Sequence, residues 1–228
     1  PGFKESGFRG FGPKALAFFK ALEFHQSKAW FDENRGLYES DVVEPMVALL
    51  DDLTARFAAK RITLKADGKR SIFRIHRDVR FARDKRPYKT HCGAVMTRSG
   101  TKSDNGLLYI HISPDGCFAA AGFYMPEPAD LAKLRRAIAA DEKRFTRLVG
   151  ALGKGKLELG AENQMTRLPR GFEAYKDSPL SGPLRLKSFI VGQPFPTKVV
   201  TSPDFAEKVA DFAVRALPLL KFGWAALD

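Results

Sequence analysis

The chain has 228 residues, 44% of them hydrophobic and 19 of them Phe. That supply of apolar side chains suffices for a sizeable core and excludes a disordered chain or a disulfide-stapled miniature. The formal net charge is +12, and residues 69–91 carry nine Lys/Arg against Asp78 and Asp84, a local excess that favours a discrete anion site or basic patch over general solubilising charge.

"FGPKALAFFKALEF" predicts a first helix, with Pro13 suited to its first position and Phe18, Phe19 and Leu22 on its apolar side. Ser27 is placed to cap a second, "KAWFDENRGLYES", in which Trp30, Phe31, Asn34 and Tyr38 are helically spaced. Asp41 is placed to cap a third, "VVEPMVALLDDLTARFAAK", with Pro45 in its first turn. The period then changes, and short strand-like runs follow at 71–81, 91–98, 107–113 and 117–125. "EPADLAKLRRAIAADEKRFTRLVGAL" returns to helix, and "SFIVGQPF" is a further strand. "TSPDFAEKVADFAVRALPLLKFGWAAL" closes the chain, with Ser202 as cap, Pro203 at the start and Phe205, Val209, Phe212 and Ala216 as the buried stripe. No repeat, linker or compositional shift marks a boundary, so the expectation is one α+β domain over residues 1–228: an antiparallel, hairpin-built sheet flanked by helices.

Two cysteines far apart, Cys92 and Cys117, give no disulfide framework and fit a reducing compartment. No apolar run approaches the ~20 residues of a membrane helix. The opening "PGFKESGFRG" lacks the apolar core of a secretory signal, so a cytoplasmic protein without membrane association is expected.

In "SIFRIHRDVRFARDKRPYKTH" a cation recurs at every third position: Arg74, Arg77, Arg80, Arg83, Arg86, Lys89. Taken as a strand, 72–82 places Arg77 among Phe73, Ile75, Val79 and Phe81, where it needs a carboxylate (Asp78, Asp84 or Glu44) or a ligand. Pro87 breaks the ladder, putting Lys85, Arg86, Tyr88 and Lys89 on a loop. Loop Lys and Tyr beside a strand-borne Arg can wrap an oxyanion.

"LLYIHISPDGCFAAAGFYM" reads as a hairpin on a Pro-Asp-Gly type I turn, with Gly116 left-handed. Pairing Ser113 with Cys117 sets Ile112 opposite Phe118 and Ile110 opposite Ala120. The other face then carries His111 across from Ala119 and Tyr109 across from Ala121, with room for a ligand or a packed helix.

The stretches "KAWFDENRGLYESDVVEP", "SIFRIHRDVRFARDKRPYKTH", "GLLYIHISPDGCFAAAGFYMPEP" and "VTSPDF" together resemble the bacterial and fungal family known as domain of unknown function 2461. The resemblance runs in order from about Phe11 to Leu227. The chain departs from family usage at His76, where Tyr is usual, and at Ala82, where Ser is usual. The resemblance implies a family and assigns no activity.

The four histidines show no zinc-type spacing, and nucleophile-elbow, phosphate-loop and dinucleotide motifs are absent, so neither metal nor cofactor is expected. Three functions stay open. The first is a sheet-based pocket for an anionic, phosphorylated small ligand. Its anion contacts are Arg74, Arg77, Arg80 and Lys89, with Lys85, Tyr88 and Tyr109 beside them. His91 and His111 are candidate proton carriers, and Trp30, Asn34 and Arg35 form a helical rim. The second is nucleic-acid binding through the 69–91 segment, whose cations interleave with Phe73, Phe81 and Tyr88. The third is a structural or partner-binding module with internal ion pairs. The first is preferred, because the arginines alternate with core residues.

Overall fold

The computed structural model of the chain describes residues 7–228; the opening stretch read against a secretory signal is described only from Gly7 onward, its first six residues lying outside the described residues. The fold is α+β, as expected, with helices at both ends and a four-stranded antiparallel sheet between them in the order β1-β2-β3-β4.

Helix α1 (Pro13–Phe24) starts at Pro13, whose missing N–H would be unsatisfied there in any residue. Helix α2 (Lys28–Tyr38) is capped by Ser27, whose Oγ accepts from Trp30 N at 3.3 Å. Asp41 starts no new helix. One π turn, Glu39–Val43, carries α2 directly into α3 (Glu44–Ala59). Pro45 offers no N–H to the carbonyl four residues back, and the wider π turn just before it accommodates that gap without ending the helix.

Strands β1 (Cys92–Thr97), β2 (Leu107–Ile112), β3 (Cys117–Phe123) and β4 (Phe189–Phe195) fall in four of the five expected runs. The fifth, 71–81, is not a strand: a 3-10 turn at Gly68–Ser71 leads into irregular chain with single bridges Ile72↔Ala94 and His76↔Tyr88. This segment slips register partway along one antiparallel neighbour, residues 87–94. Phe73 N donates to Gly93 O in β1, whereas Arg77 N donates to Pro87 O and Lys89 N to Ile75 O, each at 2.8 Å. Two extra residues on the 88–94 side between the Ile72↔Ala94 and His76↔Tyr88 bridges interrupt the ladder.

The expected long helix after β3 is two: α4 (Pro128–Ala140) and α5 (Glu142–Lys154). Asp141 leaves helical geometry and its side chain accepts from Arg144 N at 2.8 Å, capping α5 and ending α4. Short helices α6 (Ser181–Arg185) and α7 (Thr197–Val200) precede α8 (Asp204–Leu227). Phe205, Val209, Phe212 and Ala216 are fully buried, as the stripe predicts. Ser202 donates its hydroxyl back to Val199 O instead of capping α8.

The residues form two compact units. Unit one comprises Pro1–Asp104, Leu108–Ala119 and Pro194–Asp211; unit two comprises Asn105–Leu107, Ala120–Gln193 and Phe212–Asp228. Unit one has an aromatic core. Phe205 meets Phe8, Phe11 and Phe195 at 5.2–6.3 Å between centroids, and Phe18 meets Phe19, Phe31 and Tyr38 at 5.5–6.4 Å. Edge-on and tilted contacts of this kind add to the large apolar area each ring buries. Unit two packs Phe123, Leu134, Ile138, Phe145, Phe189, Leu219 and Phe222 around a small apolar void. There Gly122, at φ +136°, lies so close to Phe189 O that a Cβ would overlap it.

Candidate functional site

The site candidates lie in unit one. The hairpin joining β2 and β3 turns at Pro114–Asp115, and Gly116 N donates to Ser113 O at 3.3 Å. The alternation of burial along both strands, with Phe118 against His111, sets Ile112 opposite Cys117 and His111 opposite Phe118, one residue from the expected register. A one-residue slip exchanges faces. Ile110, Ile112, Cys117, Ala119 and Ala121 share the buried face, while Tyr109, His111 and Phe118 share a half-buried one. The two alanines therefore pack into the core and leave no hollow beside the histidine. Phe118 instead stacks on His111, at 4.6 Å and 18° between rings.

On that half-buried face His91 lies beside His111 at 4.5 Å between centroids. Tyr109 Oη lies 2.9 Å from His111 Nδ1. Gly93 makes this reach possible, because its missing Cβ would sit 2.6 Å from Tyr109 Oη. Burial pushes the Tyr109 phenol up to about 12, so it keeps its proton. Burial, with the neighbouring His91, pushes the His111 imidazole down to about 4 against a partial pull upward from Asp115. The phenol has no other hydrogen-bond partner among the described residues, and its Oη and the His111 Nδ1 share one hydrogen bond. His91 is also lowered, by burial first and then by Lys89.

Beside this face Lys89 and Lys102 flank the Phe73 ring, with Arg74 near enough for its charge to act on Lys89. Lys89 Nζ lies 5.7 Å and Lys102 Nζ 5.1 Å from the ring centroid. Lys89 donates to Arg74 O at 3.0 Å and Lys102 to Ile72 O at 2.6 Å. Lys89 is lowered by burial and then by the charges of Arg74 and Lys102. Among the described residues, no carboxylate lies within ion-pair distance of Arg74, Lys89 or Lys102. Lys102 comes from the 98–106 turn, which is shaped by Ser99 N donating to Asp104 Oδ2 and Gly100 N to Thr97 Oγ1. A cavity of about 290 Å³ opens alongside, lined by Tyr38, Val43, Lys69, Ile72, Phe73, Arg74, Ile75, His76 and Lys102. Lys69 there is already paired with Glu39 at 2.6 Å. A larger hollow of about 720 Å³ in unit two is lined only by residues 140–147, at the bend between α4 and α5, and gathers no comparable set of groups.

The expected site thus divides. Arg74, Lys89, Tyr109, His91 and His111 come together. Arg77, Arg80 and Lys85 lie on the projecting 77–86 segment and have partners within it. Arg77 reaches Asp84 at 2.6 Å, Arg80 reaches Asp78 at 2.7 Å, and Lys85 donates to Val79 O at 3.0 Å. Arg86 shares Asp84 with Arg77, and together the two hold that carboxyl well below the usual range. Tyr88 is a core residue, 4% exposed and stacked on Phe31 at 4.6 Å. The helical rim is self-contained: Trp30 stacks on His25, Asn34 donates to Trp30 O, and Arg35 pairs with Asp32. Sequence reasoning missed Lys102, Phe118 and Gly93, and set Phe73 among stacking rings for nucleic acid instead of beside the two lysines. Only the register of the hairpins brings them alongside, and residue type by itself carries no such signal.

Among the described residues no helix is long and apolar enough to cross a membrane, and no group of three or more His, Cys, Asp or Glu side chains is placed to hold a metal ion. A family model described as conserved hypothetical protein (DUF2461) matches residues 14–222. No curated protein and no solved structure matches the chain.

Proposed function

Because the chain belongs to the conserved hypothetical protein family DUF2461, whose description states no activity, we propose a function from its own side chains: unit one binds an anionic, phosphorylated small ligand at Arg74, Lys89 and Lys102. One observation carries this reading. Two lysines flank a single aromatic ring, Arg74 adds a third positive charge that acts on Lys89, and none of the three has a carboxylate within ion-pair distance among the described residues. Gathering like charges costs free energy, most of all for the half-buried Lys89, and a bound anion offsets it. Arg offers a two-point contact and the lysines point charges, a set suited to phosphate. His91 and His111, whose imidazoles burial keeps neutral at pH 7, stand beside the anion as proton carriers. The buried free cysteines support a reducing, cytoplasmic setting.

The test is thermal unfolding with inorganic phosphate and then with phosphorylated metabolites. A ligand at a hundred times its Kd that binds only the folded chain stabilises it by about 2.7 kcal/mol, worth ~2–4 °C per kcal/mol in a protein of this size. The rise should vanish in a folded Arg74→Ala/Lys89→Ala variant. No rise above that of matched chloride at millimolar ligand would overturn the proposal.

A further inference from the structure

Residues 77–86 form a projecting arm whose ring at the tip lies on the surface. The arm is closed at its root by the His76↔Tyr88 bridge and by Arg77 N donating to Pro87 O. Within it, Arg77 spans to Asp84 and Lys85 donates back to Val79 O. At the tip stands Phe81, 95% exposed, while the chain on either side is fastened down. The arm carries five cations against two carboxylates, and both carboxylates are already engaged.

We infer that this arm is a stacking platform for single-stranded nucleic acid, with Phe81 as the ring on which a base rests. Exposed rings flanked by cations bind bases by stacking and phosphates by charge, with little regard to sequence. Arg80 favours this occupant over a lipid surface. Its guanidinium lies over the Phe81 ring, 5.9 Å from the centroid, while remaining paired with Asp78. Inserting that ring into an acyl layer would strip water from the ion pair, whereas a base laid on the other face of the ring leaves it solvated. The surface is distinct from the Arg74–Lys89–Lys102 cluster and does not depend on it.

The test is fluorescence anisotropy with labelled oligothymidylate of about 20 nucleotides at ~50 mM salt. Phe81→Ala should weaken binding about tenfold or more, and Phe81→Trp should restore it. Phe81→Trp should also show fluorescence quenched by the oligonucleotide beyond any quenching in the wild type. Because the ring is on the surface, Phe81→Ala should keep the wild-type melting temperature and any response to phosphate. Three results would each overturn the inference: no binding by the wild-type chain, equal binding by Phe81→Ala, or Phe81-dependent binding to vesicles with about one-third phosphatidylserine but not to the oligonucleotide.

Discussion

His111 shows how much of this chemistry is decided by what lies within a few ångströms of one ring. It stacks on Phe118, faces His91 and shares a hydrogen bond with Tyr109. Burial first, and then the neighbouring His91, favour its neutral form, with a folded value of about 4 against an ordinary value near 6.5. The sign follows. Between those values the unfolded chain binds more protons than the folded one, so stability rises with pH across that window. The contribution is complete above about 6.5 and is lost as pH falls toward 4. Replacing His111 with Gln should flatten the stability profile between pH 4 and 6.5, as read by urea denaturation across that range. NMR titration of the native protein should place the ring's midpoint well below that of a free imidazole. A native midpoint near 6.5 would show that the ring is solvated, and the Tyr109 contact would then not hold it.

At the level of elements, the decisive feature is how the irregular 72–77 chain and β1 lie beside the β2–β3 hairpin. Phe73 N bonds to Gly93 O, and Tyr109 crosses over the same Gly93 toward His111. One glycine thus serves both the backbone register and the polar contact above it. Gly93→Ala should push the phenol aside, because the tip of the Tyr109 ring can move more readily than backbone. We expect a loss of about 1–3 kcal/mol, the usual range for inserting a methyl into a packed site, read from chemical denaturation. The His111 midpoint should rise with it. Alanine tolerated without either change would show that Tyr109 does not rest on β1. The same dependence on neighbours explains α2 and α3, where Asp41 has the right chemistry for a cap yet a π turn keeps the helix continuous.

For the molecule as a whole, the two cysteines offer a probe of cooperativity. Cys92 and Cys117 are both free and buried, and burial pushes the Cys92 thiol up to about 12. Because the thiolate is the reactive form, neither should react with a disulfide reagent at neutral pH while the chain is native. Labelling should follow the same urea dependence as the loss of far-ultraviolet ellipticity. Fast labelling of Cys117 under native conditions would reveal local opening of the β2–β3 turn.

The sequence by itself determined the elements whose signals are local. Pro13, Ser27, the Phe205–Val209–Phe212–Ala216 stripe and the Pro-Asp-Gly turn act through the backbone within a few residues, so α1, α2, α8 and the hairpin were legible. The family was legible too, because its motifs recur in order along the chain. Tertiary structure decided the rest. A turn shorter by one residue exchanged the faces of β3 and placed Phe118, not Ala119, beside His111. A two-residue slip in register against residues 88–94 broke the expected 71–81 strand and made it the root of an arm. The evenly spaced cations were then sorted by where that chain runs. Arg77, Arg80 and Arg86 found carboxylates nearby in sequence, while Arg74 and Lys89 met Lys102 from a distant turn. Charge is a property of the residue; which charges meet depends on register and on the path of the chain, and both are set by contacts far apart in sequence.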